Sequence, residues 1–142
     1  MDCVLCRIVN DEIVARRIYE DEYCIGILDR SPCAPGHCLV VPKVHVEKFY
    51  DLPDDEIAKL FRAVKTVVLM IRNAYSPDHV CMFARGGRVS HLHVALFPSN
   101  DGDGVSGFPQ NNYPEQLVDL EASAILLRTA GTGGGESTAG DR

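Results

Sequence analysis

The sequence lacks any apolar run of about 18 residues, so no segment of it reads as a membrane-spanning helix and no membrane partner is expected. It also lacks a surplus of cations. Fourteen lysines and arginines stand against 20 aspartates and glutamates, for a formal net charge of -6. With no dense basic patch to neutralise a phosphate backbone, nucleic acid is not expected as the main partner. A small anionic ligand stays open, because one site needs only a few local donors. The opening Met1-Asp2-Cys3 lacks the basic and apolar character of a secretory leader, so a cytoplasmic protein is expected. Internal repeats and a second domain are missing as well.

What is present suits one compact domain. The 142 residues, 46% of them hydrophobic, are enough for a single core. Six cysteines occur, at positions 3, 6, 24, 33, 38 and 81. In a reducing compartment they are thiols or metal ligands rather than disulfides. Cys24 and Cys38 sit in strand-like runs and read as small buried hydrophobes. Cys3 and Cys6 form a C-x-x-C and stand apart.

The chain is organised around Val89-Ser90-His91-Leu92-His93-Val94-Ala95-Leu96-Phe97-Pro98, which alternates with a period of two. Leu92, Val94 and Leu96 make one face of an extended strand, and His91, His93, Ala95 and Phe97 the other. Pro98 ends the run. Two imidazoles on one face are costly to desolvate alone and call for a metal, a carbonyl or an anion. An ordinary half-buried pair is the competing account.

Upstream, Leu5 and Ile8 face together in a short amphipathic turn, and Arg16–Glu20 and Tyr23–Asp29 read as a hairpin around Asp21-Glu22. A Pro/Gly-punctuated loop leads to a nearly all-apolar strand over His37–Pro42, expected to be central. The segment from Asp51 reads as a helix start, with a capping aspartate, an early proline and acids in the first turn. The helix runs to about Tyr75, with a buried stripe of Ile57, Leu60, Phe61, Val64, Val68 and Ile71. Val80–Ala84 reads as a fourth strand, Asn100–Asn112 as a loop and Pro114–Arg128 as a shorter second helix. Residues 1–128 are thus expected to form the domain, and 129–142, with five glycines, a disordered tail. The class is α+β with a mainly antiparallel sheet.

Several phrases in order carry a resemblance. They are Cys3-Val4-Leu5-Cys6-Arg7-Ile8-Val9, Tyr19-Glu20-Asp21-Glu22, Leu28-Asp29-Arg30-Ser31-Pro32, the run from Pro35-Gly36-His37 to Pro42-Lys43-Val44-His45, and His91-Leu92-His93. Over about residues 3–98 the chain resembles the histidine-triad (HIT) proteins, of the branch of small nucleotide hydrolases and transferases. The resemblance implies a five-stranded antiparallel sheet with a long helix, usually dimerised. It implies attack by a histidine on the α-phosphate of a purine nucleotide, through a nucleotidyl-histidine. It makes His93 the nucleophile, Asp29 the holder of the ribose hydroxyls and His37 an orienting residue behind the active strand. It also implies a closed structural zinc site on Cys3, Cys6, His45 and His91, as in zinc-bearing bacterial members. The residues themselves leave open a solvated Asp29, a plain buried His37 and a redox-active C-x-x-C.

The chain departs from the family pattern at three places. Ala95 stands where the third histidine belongs, the residue that contacts the transferred phosphate or helps the leaving group. The preceding loop, Phe83-Ala84-Arg85-Gly86-Gly87-Arg88, lacks the usual asparagine and Gly-Gln-Ser-like turn. It has gained Arg85 and Arg88. Arg88 and the Gly86 amide are candidates for phosphate contact, with exposed turn residues as the bland account. Three functions compete: a hydrolase or nucleotidyltransferase acting through His93, a nucleotide-binding protein of weak or no catalysis, and a divergent enzyme with another substrate.

Overall fold

The computed structural model describes residues 2–103, 113–114 and 117–131. In chain order the elements are α1 (Val4–Val9), β1 (Arg17–Glu20), β2 (Cys24–Leu28), β3 (Cys38–Pro42), a 3-10 turn at Phe49–Asp51, α2 (Asp54–Tyr75), β4 (His79–Phe83), β5 (Val94–Ser99) and α3 (Leu120–Ala130). The strands form one sheet in the order β1-β2-β3-β5-β4, with antiparallel neighbours throughout. The expected fold class holds, and β3 is central. Among the described residues no helix is long and apolar enough to cross a membrane.

The β1–β2 hairpin closes on one side chain. Asp21 Oδ1 accepts from the Tyr23 and Cys24 amides, each at 2.7 Å, and Oδ2 accepts from the Tyr19 hydroxyl at 2.6 Å. Every residue of β2 is buried, because both faces of the sheet are covered there. Cys24 and Leu28 face α2 and α3, whereas Ile25 and Ile27 pack with Leu5 and Ile8 of α1. Cys24 and Cys38 are fully buried, and burial pushes both thiols up to about 12.

The start of α2 differs from the expectation. Asp51 closes the 3-10 turn, and the N-cap is Pro53, which offers no capping side chain. Asp54, Asp55 and Glu56 fill the first turn instead, where the helix dipole favours acids. The buried stripe is Leu60, Ala63, Val64, Val67, Met70 and Ile71. Phe61, one step around the helix from Leu60, is 37% exposed, and Ile57 and Val68 are only half-buried. The helix ends at Ser76, whose φ of 47° is left-handed. The third helix starts at Leu120 rather than Pro114, because Asp119 supplies the cap by accepting from the Ala122 amide. It runs two residues past Arg128, to Ala130, and the remainder of the expected tail, 132–142, lies outside the described residues.

The last strand is shorter at its start than the alternation implies. His91 and His93 precede β5, which begins at Val94 and continues through Pro98 to Ser99. The β3 ladder stops at Val40↔Val94. Beyond it the carbonyl of Pro42 is taken by the His91 side chain and the Leu92 amide donates to Val46 O, so no ladder forms there. At the other end β3 stops opposite Leu96, so Pro98 pairs only with Val80 of β4 and needs no donor on the β3 side. The two-sided alternation still holds. Leu92, Val94 and Leu96 join the core under α2, and the odd positions face away from it.

Candidate active site and metal cluster

Two sites share residue 91. The first begins in the opening turn of α1. Cys3 is its N-cap, and Cys3 Sγ accepts from the Cys6 amide at 3.4 Å, so the C-x-x-C spacing brings both sulfurs to one helix end. His91 is completely buried, and its Nε2 donates to the Pro42 carbonyl at 2.8 Å. That bond fixes the tautomer and leaves Nδ1 as a free lone pair. Nδ1 lies 3.4 Å from Cys3 Sγ and 3.4 Å from Cys6 Sγ. His45 Nδ1 lies 3.3 Å from Cys6 Sγ, and the His45 and His91 rings meet edge to face at 5.0 Å. The four ligand atoms fall within 4.8 Å of one another. Tetrahedral sulfur and nitrogen ligands of one metal sit roughly 3.5 Å apart, so this set fits such an ion. Burial and then the Cys3 thiol push the Cys6 thiol above its ordinary range, and burial holds His91 below its own. The four residues anticipated as metal ligands are therefore brought together in a group that could hold a metal.

The second site is an open cleft of roughly 880 Å³ on the α1 side of the sheet. His93, Asp29, His37, Gly86 and Arg88, the anticipated catalytic and binding residues, all line it, together with Ala95. His93 Nδ1 donates to the His91 carbonyl at 2.8 Å. A carbonyl cannot donate, so the proton sits on Nδ1 and Nε2 keeps its lone pair.

His37 is 3% exposed, with its ring tilted against Phe97 at 5.6 Å. Its Nδ1 accepts from the Cys33 amide at 3.0 Å, so Nε2 carries the proton. That nitrogen has no hydrogen-bond partner among the described residues and lies 3.6 Å from Asp29 Oδ2. Burial holds His37 below its ordinary pKa, against the pull of the Asp29 charge. Asp29 Oδ1 accepts from the Ser31 amide at 2.9 Å. The turn that delivers His37 needs a glycine. Gly36 has φ +87°, and a Cβ there would lie 2.6 Å from the Tyr75 ring.

The loop after β4 turns on Gly86 and Gly87, with φ of +79° and +100°. Arg85 and Arg88 are exposed along it, and neither forms an ion pair with a described residue. Leu5, Ile8, Ile13 and Ile27 give the same cleft an apolar wall. Sequence reasoning noticed the Leu5/Ile8 face but did not assign it to the cleft. The alternation along β2, with Ile25 and Ile27 opposite Cys24 and Leu28, was the available signal.

A five-stranded antiparallel sheet thus carries His93, Asp29 and His37 on one cleft, next to a Cys₂His₂ group. The HIT-domain family model matches residues 10–102, and the chain belongs to that family. It is 38% identical over 106 residues to an uncharacterised HIT-like protein of Methanocaldococcus jannaschii, covering 72% of this chain and 82% of that protein. It is 28% identical over 127 residues to an adenosine 5′-monophosphoramidase of Schizosaccharomyces pombe, covering 86% of this chain and 92% of that one. Among solved structures it is similar to a Zn-bound histidine triad family protein from Mycobacterium smegmatis, with a TM-score of 0.74, 34% identity and coverage of 97% and 98% of the two chains.

Proposed function

We propose that the protein is a nucleotide hydrolase or nucleotidyltransferase that acts at the α-phosphate of a purine nucleotide through a nucleotidyl-histidine on His93. The observation that carries this reading is the 2.8 Å bond from His93 Nδ1 to the His91 carbonyl. It holds the proton on the rear nitrogen and offers the Nε2 pair to the cleft, so the ring needs no separate base. In the first step Nε2 forms a bond to phosphorus and the leaving oxygen or nitrogen departs with its electron pair. In the second, water attacks phosphorus, the pair of the P–N bond returns to Nε2, and the water proton passes to solvent. Asp29, one oxygen of which is held by the Ser31 amide, accepts from the ribose hydroxyls. His37 orients the site from behind, Arg88 and the Gly86 amide contact phosphate, and the apolar wall takes the base.

The same reading gives the Cys3, Cys6, His45 and His91 group a structural zinc ion, supported by the donor set and by the metal named for the mycobacterial relative. It also includes a homodimer in the cytoplasm. The edge strand β4, with Met82 56% exposed, offers a surface to a second copy. Ala95 favours a second reading, a nucleotide-binding protein of weak or no catalysis, because alanine has no donor for the transferred group.

The deciding experiment mixes the protein with adenosine phosphoramidate or a dinucleoside tetraphosphate and records turnover and intact mass. Turnover with an adduct that disappears in His93→Ala is expected. Tight nucleotide binding with no turnover, unchanged by His93→Ala, selects the second reading.

A further inference from the structure

Two arginines of the loop after β4 line the cleft with His93, and position 95 offers no proton donor. β4 and β5 pair as Phe83↔Ala95, and the register runs without a break from His79↔Ser99. Arg85 follows the last residue of β4 by two positions, and His93 precedes the first residue of β5 by one. Arg85, Arg88, Ala95 and His93 all line the one cleft. Arg16, another cation there, is taken by Glu121 at 3.2 Å, whereas Arg30, Arg85 and Arg88, which also line the cleft, have no ion-pair partner among the described residues. Ala95 is a methyl group. Burial disfavours the charged form of His37, whose Nε2 lies 3.6 Å from Asp29 Oδ2. A guanidinium does not give up its proton near neutral pH.

From this juxtaposition we infer that Arg85 and Arg88 select substrates whose leaving group is itself an anion, a phosphate or sulfate oxygen, over substrates whose leaving group is an amine. The inference rests on the proposal that His93 attacks an adenylate. When the phosphorus–oxygen bond breaks, a phosphate or sulfate departs with the electron pair as a stable anion and needs no proton. Two guanidinium groups bind that anion and the charge that builds on it. When a phosphorus–nitrogen bond breaks, the nitrogen must be protonated as it leaves. Nothing at position 95 supplies that proton.

The test uses the full-length protein and three adenylates: adenosine 5′-phosphosulfate, the p-nitrophenyl ester of AMP and adenosine 5′-phosphoramidate. The ester has a good leaving group without a second anionic centre, so it separates charge from proton demand. Wild type is expected to cleave the phosphosulfate fastest and the phosphoramidate slowest. The Arg85→Gln/Arg88→Gln protein is expected to lose roughly tenfold or more in kcat/KM on the phosphosulfate relative to its loss on the ester. Ala95→His is expected to raise phosphoramidate turnover. Equal losses on phosphosulfate and ester, or phosphoramidate as the best wild-type substrate, would overturn the inference. Turnover that survives His93→Ala sinks the parent reading instead. Calorimetry on the His93→Ala protein tests the arginines without catalysis. ADP is expected to bind more tightly than AMP, with the advantage gone in the added Arg85→Gln/Arg88→Gln background, and equal binding of ADP and AMP overturns the inference.

Discussion

At the residue scale, His37 and Gly36 show how local chemistry fixes the cleft. His37 is held neutral chiefly by burial, so its folded pKa lies below its ordinary value near ~6.5. The unfolded chain therefore binds more protons in acid than the folded one. The stability owed to the neutral ring is present above about pH 6.5 and is lost as pH falls from there through the folded value. A pH series of urea denaturations is expected to show a fall across that window that His37→Gln reduces, the remainder belonging to His91. Gly36→Ala combines a left-handed φ of +87° with a Cβ 2.6 Å from the Tyr75 ring. A loss of about 1–3 kcal/mol is expected, read as a lower urea midpoint, with nucleotide affinity weakened because His37 is the next residue.

At the scale of elements, the turn of the β1–β2 hairpin is closed by Asp21. Burial alone would raise the Asp21 carboxyl, but the Tyr19 hydroxyl and the amides of Cys24 and Tyr23 outweigh it and hold it low. Asp21→Ala leaves two turn amides without their acceptor and is expected to cost about 1–3 kcal/mol, measured by thermal or urea unfolding. Asp21→Asn keeps one acceptor oxygen and is expected to cost less. Elements were legible in the sequence where periodicity was strong. The hairpin, the central β3 and the long helix all follow from apolar spacing and turn residues. Their ends were less legible. Asp51 looks like a helix cap, yet Pro53 fixes an extended conformation two residues later and the helix starts after it. His91 and His93 alternate like strand residues, but side-chain bonds to Pro42 and His91 carbonyls replace the ladder there. No local propensity reports that exchange.

At the scale of the whole molecule, the sheet separates two unequal layers. The α2 side is a large core joined by Leu60, Val67, Ile71 and Leu127, whereas the α1 side is a small cluster of Leu5, Ile8, Ile25, Ile27 and Val41. The six-residue α1 is too short to be stable by itself. It is held by the packing of Leu5 and Ile8, by Arg17 Nη2 donating to the Ile8 and Val9 carbonyls, and by the Cys3, Cys6, His45 and His91 group. Chelator treatment is expected to release one metal ion per chain and to speed amide exchange through α1 while α2 stays protected. Uniform exchange across both layers would show that the small cluster alone secures α1. The metal group and the cleft were legible because each phrase of the sequence carries an unusual residue type. The apolar wall was not, since Ile13 and Ile27 look like any core residue until the fold brings them beside Leu5 and Ile8.

His91 serves two masters with different atoms: its ring faces the sulfurs while its main-chain oxygen holds the ring two positions on. A disturbance at the thiols thus has a path to the His93 ring that crosses a single residue. On the proposed function, oxidising Cys3 and Cys6 is expected to slow turnover while leaving nucleotide affinity in place, because the thiols reach His93 only by way of residue 91.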